Sequence, residues 1–134
     1  MMRHRHNQRK GTAAVEFALV APLVFLLFFA AFEFARMSMI QDGLDLAACE
    51  GARRCIVPGA TSQNGIDQAN TVLNTLCIRG ATITVTPTTI TSSTPSVTVE
   101  IQASLDSNAW VTPFFFKGAV FDRAFTLNRE LVIQ

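Results

Sequence analysis

Histidine occurs in this chain only as His4 and His6, and the body beyond residue 10 has none. That absence removes Ser-His and Cys-His nucleophilic pairs, and imidazole-based metal sites, from everything after the N-terminal tail. There is no Gly-rich phosphate loop and no Cys-x-x-Cys pair. Charge is scarce as well: Asp, Glu, Lys and Arg make up 16% of the 134 residues, against 49% apolar residues. With a mean hydropathy of +0.31, the chain is too apolar to be disordered and rather apolar for an ordinary soluble domain. Without His or clustered carboxylates, enzyme is the class that composition argues against. No catalytic residue, metal, cofactor or small-molecule substrate is expected.

The few charges are unevenly placed. Arg3, Arg5, Arg9 and Lys10 precede Gly11 with no acid among them, and the remainder holds seven basic and ten acidic residues, 7 − 10 = −3. A basic tail of this kind can contact nucleic acid. Here it abuts an apolar run, so it reads as a segment retained in the cytoplasm by the positive-inside rule, with no nucleic-acid partner. From Phe17 to Phe32 there is no charge, and six of the eleven Phe fall between Phe17 and Phe34. Between Lys10 and Arg36 the only charges are Glu16 and Glu33. A bilayer core needs about 20 apolar helical residues, so a span at about 17–36 is expected, bent but not forbidden by Pro22.

Two cleavable alternatives match poorly. Ordinary signal peptidase needs an Ala-x-Ala-like site after the apolar core, and Ala30, Ala31, Phe32, Glu33 and Phe34 do not supply one. Leu46-Ala47-Ala48-Cys49 has the letters of a lipoprotein box. However, Glu33, Arg36, Asp42 and Asp45 separate it from the apolar core, so it reads as a coincidence on an Ala-rich helix.

Glu16 is the residue that needs explaining. A carboxylate at the centre of a membrane helix costs about 2.5–3.5 kcal/mol, less near the interface. The plain reading places Glu16 among the headgroups, within reach of Arg9 or Lys10. The sharper reading takes in Gly11-Thr12-Ala13-Ala14-Val15-Glu16-Phe17, directly after the basic tail. This arrangement resembles a type IV prepilin. It is most similar to the TadE/TadG-type pseudopilins of the tight-adherence (Flp) pilus system, both here and in Ala47-Ala48-Cys49-Glu50-Gly51-Ala52-Arg53. The clear resemblance covers about residues 9–55. The chain departs from other type IV pilins in having Thr12, not Phe, after the cut, a position that varies in the Tad branch.

The resemblance implies a precursor with leader 1–11, cut between Gly11 and Thr12 by a membrane prepilin peptidase, with Glu16 and Phe17 serving assembly. It implies a minor pilin used for surface adhesion and biofilm formation. The protein would sit in a bacterial inner membrane with its N-terminus cytoplasmic and its outer domain periplasmic, and pass to the extracellular pilus after assembly. The implied partners are that peptidase, other minor pilins, the major pilin, and the assembly platform with its ATPase. The motif also has its own physical logic. Cleavage exposes an α-amino group on Thr12, and a Glu16 carboxylate that is costly to bury alone can pair with that amine on a neighbouring subunit. The rival reading is a permanently anchored single-span protein whose periplasmic domain binds something.

The expected fold is α+β of pilin type. One helix runs over 12–56; beyond the membrane, Phe34, Met37, Ile40, Leu44, Ala47 and Ala48 form its apolar stripe, opposite Arg36, Gln41, Asp42, Asp45 and Glu50. Gly43 and Gly51 weaken it slightly. A small domain occupies 57–134. Residues 58–65 read as a loop and Ile66–Ile78 as a short helix stopped by Arg79-Gly80. Strands at Thr82–Thr86 and Ser96–Gln102 form a hairpin across a Thr/Ser-rich link, and a third strand follows, with Phe121, Phe125, Leu127, Leu131 and Ile133 on one face. Trp110, Phe114, Phe115 and Phe116 read first as a core plug or edge cover, and second as an interaction surface.

Cys49, Cys55 and Cys77 would face an oxidising compartment. Cys49 and Cys55 lie about 9 Å apart along one helix, too far to bridge. A Cys49–Cys77 bridge is slightly favoured if the helices pack antiparallel, and Cys55–Cys77 if the first helix frays; unpaired thiols are the remaining possibility.

Overall fold

The computed structural model describes residues 5–109 and 113–129, with side chains from residue 11 onward. The elements are α1 (Arg5–Cys55), α2 (Ser62–Thr75), β1 (Thr82–Thr86), β2 (Ser96–Ser104) and β3 (Val120–Asn128). The three strands form an antiparallel sheet in the order β1-β2-β3, so the expected α+β class and three-stranded sheet are both present. The proposed strand residues Leu131 and Ile133, the basic tail's side chains and Trp110 lie outside the described residues. The chain divides between Ala35 and Arg36 into two compact units.

The first unit is the early part of α1. Its Ala, Leu, Val and Phe side chains surround the helix on every side, and the apolar window with mean hydropathy 2.4 has none of its residues buried by protein. A helix satisfies its backbone hydrogen bonds internally, which is what an apolar surrounding demands. Pro22 sits inside the helix and lacks the N–H that would bond back to Ala18.

The second unit folds around the rest of α1. Arg36, Ile40, Gly43, Leu44, Ala47, Ala48, Gly51, Ala52 and Cys55 are buried, a stripe at three- and four-residue steps. Two expectations change here. Phe34 is exposed and lies outside the stripe, whereas Arg36, assigned to the polar face, is buried within it. The stripe packs on α2 and on the inner face of the sheet, where Val85, Val97, Val99, Ile101, Ala103 and Phe121 complete one core.

Glycine sets how closely the layers approach. A Cβ on Gly51 would lie 3.1 Å from the Gly65 carbonyl oxygen and 3.2 Å from the Ala69 Cβ. One on Gly65 would collide with the Cys55 Sγ and sit 3.0 Å from the Gly51 oxygen. One on Gly43 would be 2.5 Å from the Ile78 Cδ1. The glycines that looked like weak points in a helix are contact points between α1 and the elements it packs against.

Helix α2 starts and stops earlier than its apolar spacing suggested. Thr61 is its N-cap, and a capping box joins it to Asn64: the Asn64 N–H donates to Thr61 Oγ1 at 3.4 Å and the Thr61 N–H to Asn64 Oδ1 at 2.9 Å. Asn is not the usual Glu or Gln at that position, which hid the signal inside an apparent loop. At the other end the chain turns at Cys77, with φ 55°, not at Arg79-Gly80. The Cys77 N–H donates to the Asn74 oxygen at 3.1 Å and the Ile78 N–H to the Leu73 oxygen at 2.9 Å, the two bonds of a Schellman turn. Ile78 then folds back onto the core beside Leu73.

The sheet register explains its two faces. Ile83–Ile101–Arg123 and Val85–Val99–Phe125 are cross-strand rows on the face that carries the buried residues of β2. Thr86–Thr98–Thr126 forms a row on the opposite, polar face, where the two hydroxyls of Thr98 and Thr126 are 2.8 Å apart. Arg123 therefore shares the parity of Phe121, Phe125 and Leu127, and it meets Asp45 of α1 at 3.4 Å.

Two substitutions test this packing, read as urea denaturation of the full chain in detergent. Gly65→Ala gains helix propensity but forces a methyl against Cys55 and the Gly51 carbonyl, and should cost about 1–3 kcal/mol. Cys77→Gly removes the left-handed strain at the helix stop and should stabilise by about 0.5–1 kcal/mol after the added unfolded-state entropy.

Candidate functional site

The helix positions the prepilin-like residues along its first turns. Gly11, Thr12, Glu16 and Phe17 are all exposed on α1, and Thr12 and Glu16 are four residues apart, hence on the same side of the helix. Nothing lies within 4 Å of where a Gly11 Cβ would be. Beyond Glu16 the helix surface is apolar without interruption to Phe32, with Phe17 72% and Leu19 74% exposed. The arrangement presents one carboxylate near the start of a long apolar surface. It is a helix that fits a membrane anchor, with its acidic side chain on the same side as Thr12.

The cysteines are well separated in environment. All three are free thiols, so neither Cys49–Cys77 nor Cys55–Cys77 is bonded in this structure. Cys55 is buried against α2, Cys49 half-buried, and Cys77 exposed at the left-handed turn. Burial pushes the Cys55 thiol up from its ordinary 9.0, against the opposing pull of a backbone hydrogen bond from Gly65. The lipoprotein-like Ala47-Ala48-Cys49 lies mid-helix with both alanines fully buried, which leaves no extended segment for a peptidase.

Two polar anchors were not visible in the sequence. Buried Arg36 donates from Nε to the Asn108 carbonyl at 2.9 Å. The Asn108 side chain donates to the carbonyls of Arg79 and Ser104, both at 2.9 Å, and accepts from the Arg79 N–H at 2.6 Å. One Asn thus ties α1, the α2–β1 connection and the end of β2. At the other end of the unit, Arg129 donates from Nε and Nη2 to the Ile56 carbonyl at 3.1 and 2.9 Å, from Nη2 to Val57 at 3.0 Å and from Nη1 to Thr91 at 2.9 Å. A cation there satisfies carbonyls just past the C-terminus of α1 and complements its dipole. No local pattern marks either role, because each depends on partners more than 25 residues away.

Phe114 is 81% exposed, Phe115 42% and Phe116 37%, so these three rings do not plug the core. The Phe114 and Phe115 rings meet edge to face, 5.1 Å between centroids.

With the apolar helix, its early carboxylate and its buried continuation in place, comparison with known families gives one match. Residues 11–53 match the model of the TadE-like protein family. The TadE-like segment begins at Gly11, takes in the apolar helix and its buried stripe, and ends two residues before α1 does. It stops short of α2 and the sheet. No curated protein and no solved structure matches the chain.

The thiol environments predict an order of alkylation by a small maleimide: Cys77 first, Cys49 more slowly, and Cys55 only on unfolding. They also predict a pH effect. The folded Cys55 thiol ionises above the unfolded one, so its contribution to stability is complete below pH 9.0 and falls as pH rises past it. Stability measured from pH 7 to 10.5 should therefore decline less steeply in Cys55→Ala than in the parent chain.

Proposed function

We propose that this protein is a prepilin-like minor pilin, or pseudopilin, of a Tad pilus system. It is made with a leader of residues 1–11, cut between Gly11 and Thr12, and used in assembling an appendage for surface adhesion. The observation that carries this reading is the TadE-like match over residues 11–53, which opens at Gly11 and contains both Glu16 and the apolar helix. An apolar helix near the N-terminus, the one among the described residues long and apolar enough to span a bilayer, provides the anchor. In this reading the precursor is held by the inner membrane and handed from the prepilin peptidase to the assembly platform and its ATPase. It then takes a place beside other minor pilins and the major pilin. The chain is the substrate of an enzyme and not an enzyme itself.

Glu16 supplies the assembly chemistry. After cleavage, the new Thr12 amine is a cation at the end of an apolar helix. A Glu16 carboxylate on an adjoining subunit neutralises it, and an undocked subunit forgoes this pairing for both its amine and its carboxylate. Phe17, next to it, adds apolar contact area.

One observation favours the permanent-anchor alternative. Helix α1 runs from Arg5 through the Gly11–Thr12 bond without a break, whereas a peptidase needs extended backbone at the bond it cuts. Gly11 eases that opening, since glycine is the costliest ordinary residue to hold in a helix, by about 1 kcal/mol relative to Ala.

The deciding experiment is N-terminal sequencing of the membrane-extracted protein from cells with and without the prepilin peptidase. A Thr12 start that requires the peptidase is expected. A start at Met1 or Met2 in both strains would replace this reading with the permanent anchor. In the processed case, Glu16→Ala should leave cleavage and membrane insertion intact and remove the subunit from the sheared surface fraction.

A further inference from the structure

We propose that the Phe114–Lys117 loop is a lipid-interface foot: its aromatic side chains enter the headgroup layer of the same membrane that holds the apolar helix. The inference rests on reading that helix as a membrane anchor.

The argument begins with where the loop is attached. Its base is closed by the Leu105 N–H donating to the Ala119 carbonyl at 2.8 Å and the Gly118 N–H to Asp106 Oδ1 at 3.1 Å. The segment leading into it is held by Arg36 Nε on the Asn108 carbonyl. Arg36 is the first residue of the folded unit, and the residue before it closes the apolar unit. The loop is therefore fastened at the end of the domain where the chain arrives from the bilayer. The C-terminus of α1 is about 30 Å away along the helix, at about 1.5 Å per residue over the twenty residues from Arg36.

Composition and charge agree with that placement. Phe114, Phe115 and Phe116 are exposed in a row and followed by Lys117, and apolar rings beside a cation suit the boundary between headgroups and acyl chains. Lys117 joins Arg36 and Arg79, whose backbone is clasped by Asn108, at the same end. The nearby acids are Asp106, whose carboxylate already accepts the Gly118 N–H, and Glu33, three residues before the buried Arg36. Lys117 is the exposed cation directly beside the rings, and it complements anionic lipid.

The test uses the full chain in vesicles of phosphatidylethanolamine and phosphatidylglycerol, with or without bromine on the acyl chains. Trp110→Phe removes the one native Trp. In that background Phe25→Trp reports on the apolar helix, Phe114→Trp and Phe116→Trp on the loop, and Val57→Trp on the far end of the domain. Brominated lipid should quench Phe25→Trp, Phe114→Trp and Phe116→Trp, while Val57→Trp stays open to aqueous iodide and insensitive to bromine. Lys117→Glu should weaken quenching of Phe114→Trp without altering that of Phe25→Trp. Quenching of Phe25→Trp alone, with the loop reporters open to iodide, would overturn the proposal and leave the anchor standing. Loop reporters shielded from both quenchers would overturn it in favour of contact with a second copy. Failure of Phe25→Trp to be quenched would remove the anchor and the foot together.

Discussion

A helix finds its backbone hydrogen bonds within itself, and that lets α1 carry a long apolar surface of the kind that fits a membrane anchor. Residues 17–32 carry Ala, Leu, Val and Phe on every side, with Glu16 and Glu33 at their margins. From Arg36 onward the same helix has to meet a different requirement. It must offer one stripe to a core while the opposite side stays wet, and the side chains change accordingly. Small and aliphatic residues recur every three or four positions, and Asp42, Asp45, Arg53 and Arg54 occupy the remainder. A single element, α1, thereby fits a membrane anchor in one part and is a structural wall in the other.

The wall is built for close approach. Ala47, Ala48, Gly51 and Ala52 present little more than backbone, and the volume they leave is taken by α2 and by the Val and Ile of β2. Gly51 and Gly65 meet almost backbone to backbone, which is why the thiol of Cys55 has no room beside a larger residue. Dense contacts of this kind gain dispersion energy but tolerate no added volume. The domain is small, and its core depends on this fit more than on the number of large side chains.

Arginine secures what packing alone leaves open. Arg36 and Arg129 each donate to carbonyls that the local secondary structure does not satisfy, one toward the start of the folded unit and one beyond the end of α1. Buried carbonyls without donors cost about 1–3 kcal/mol each. A planar guanidinium can serve several at once, as Arg129 does for Ile56, Val57 and Thr91. These clamps order the loops between elements, including the one that presents Phe114–Phe116.

The sequence by itself determined the elements whose cause is local. Uninterrupted hydrophobicity made α1 apolar from Phe17 to Phe32, and alternation at Thr82–Thr86 and Ser96–Gln102 made strands, because period and composition are properties of short stretches. The Gly11–Phe17 motif and the TadE-like resemblance were also legible there, since both lie in contiguous residues. Tertiary structure decided everything that depended on partners distant in the chain. It buried Arg36 and exposed Phe34, turned Gly43 and Gly51 from helix weaknesses into contact points, and ended α2 at Thr75 with a left-handed turn at Cys77. It also left the Phe114–Phe116 rings outside the core. Each of these depends on a neighbour brought near by folding: Asn108 for Arg36, Ile78 for Gly43, Gly65 for Gly51. A hydrophobicity pattern records how much surface a residue prefers to bury, but only the assembled fold determines which surfaces are left to bury it.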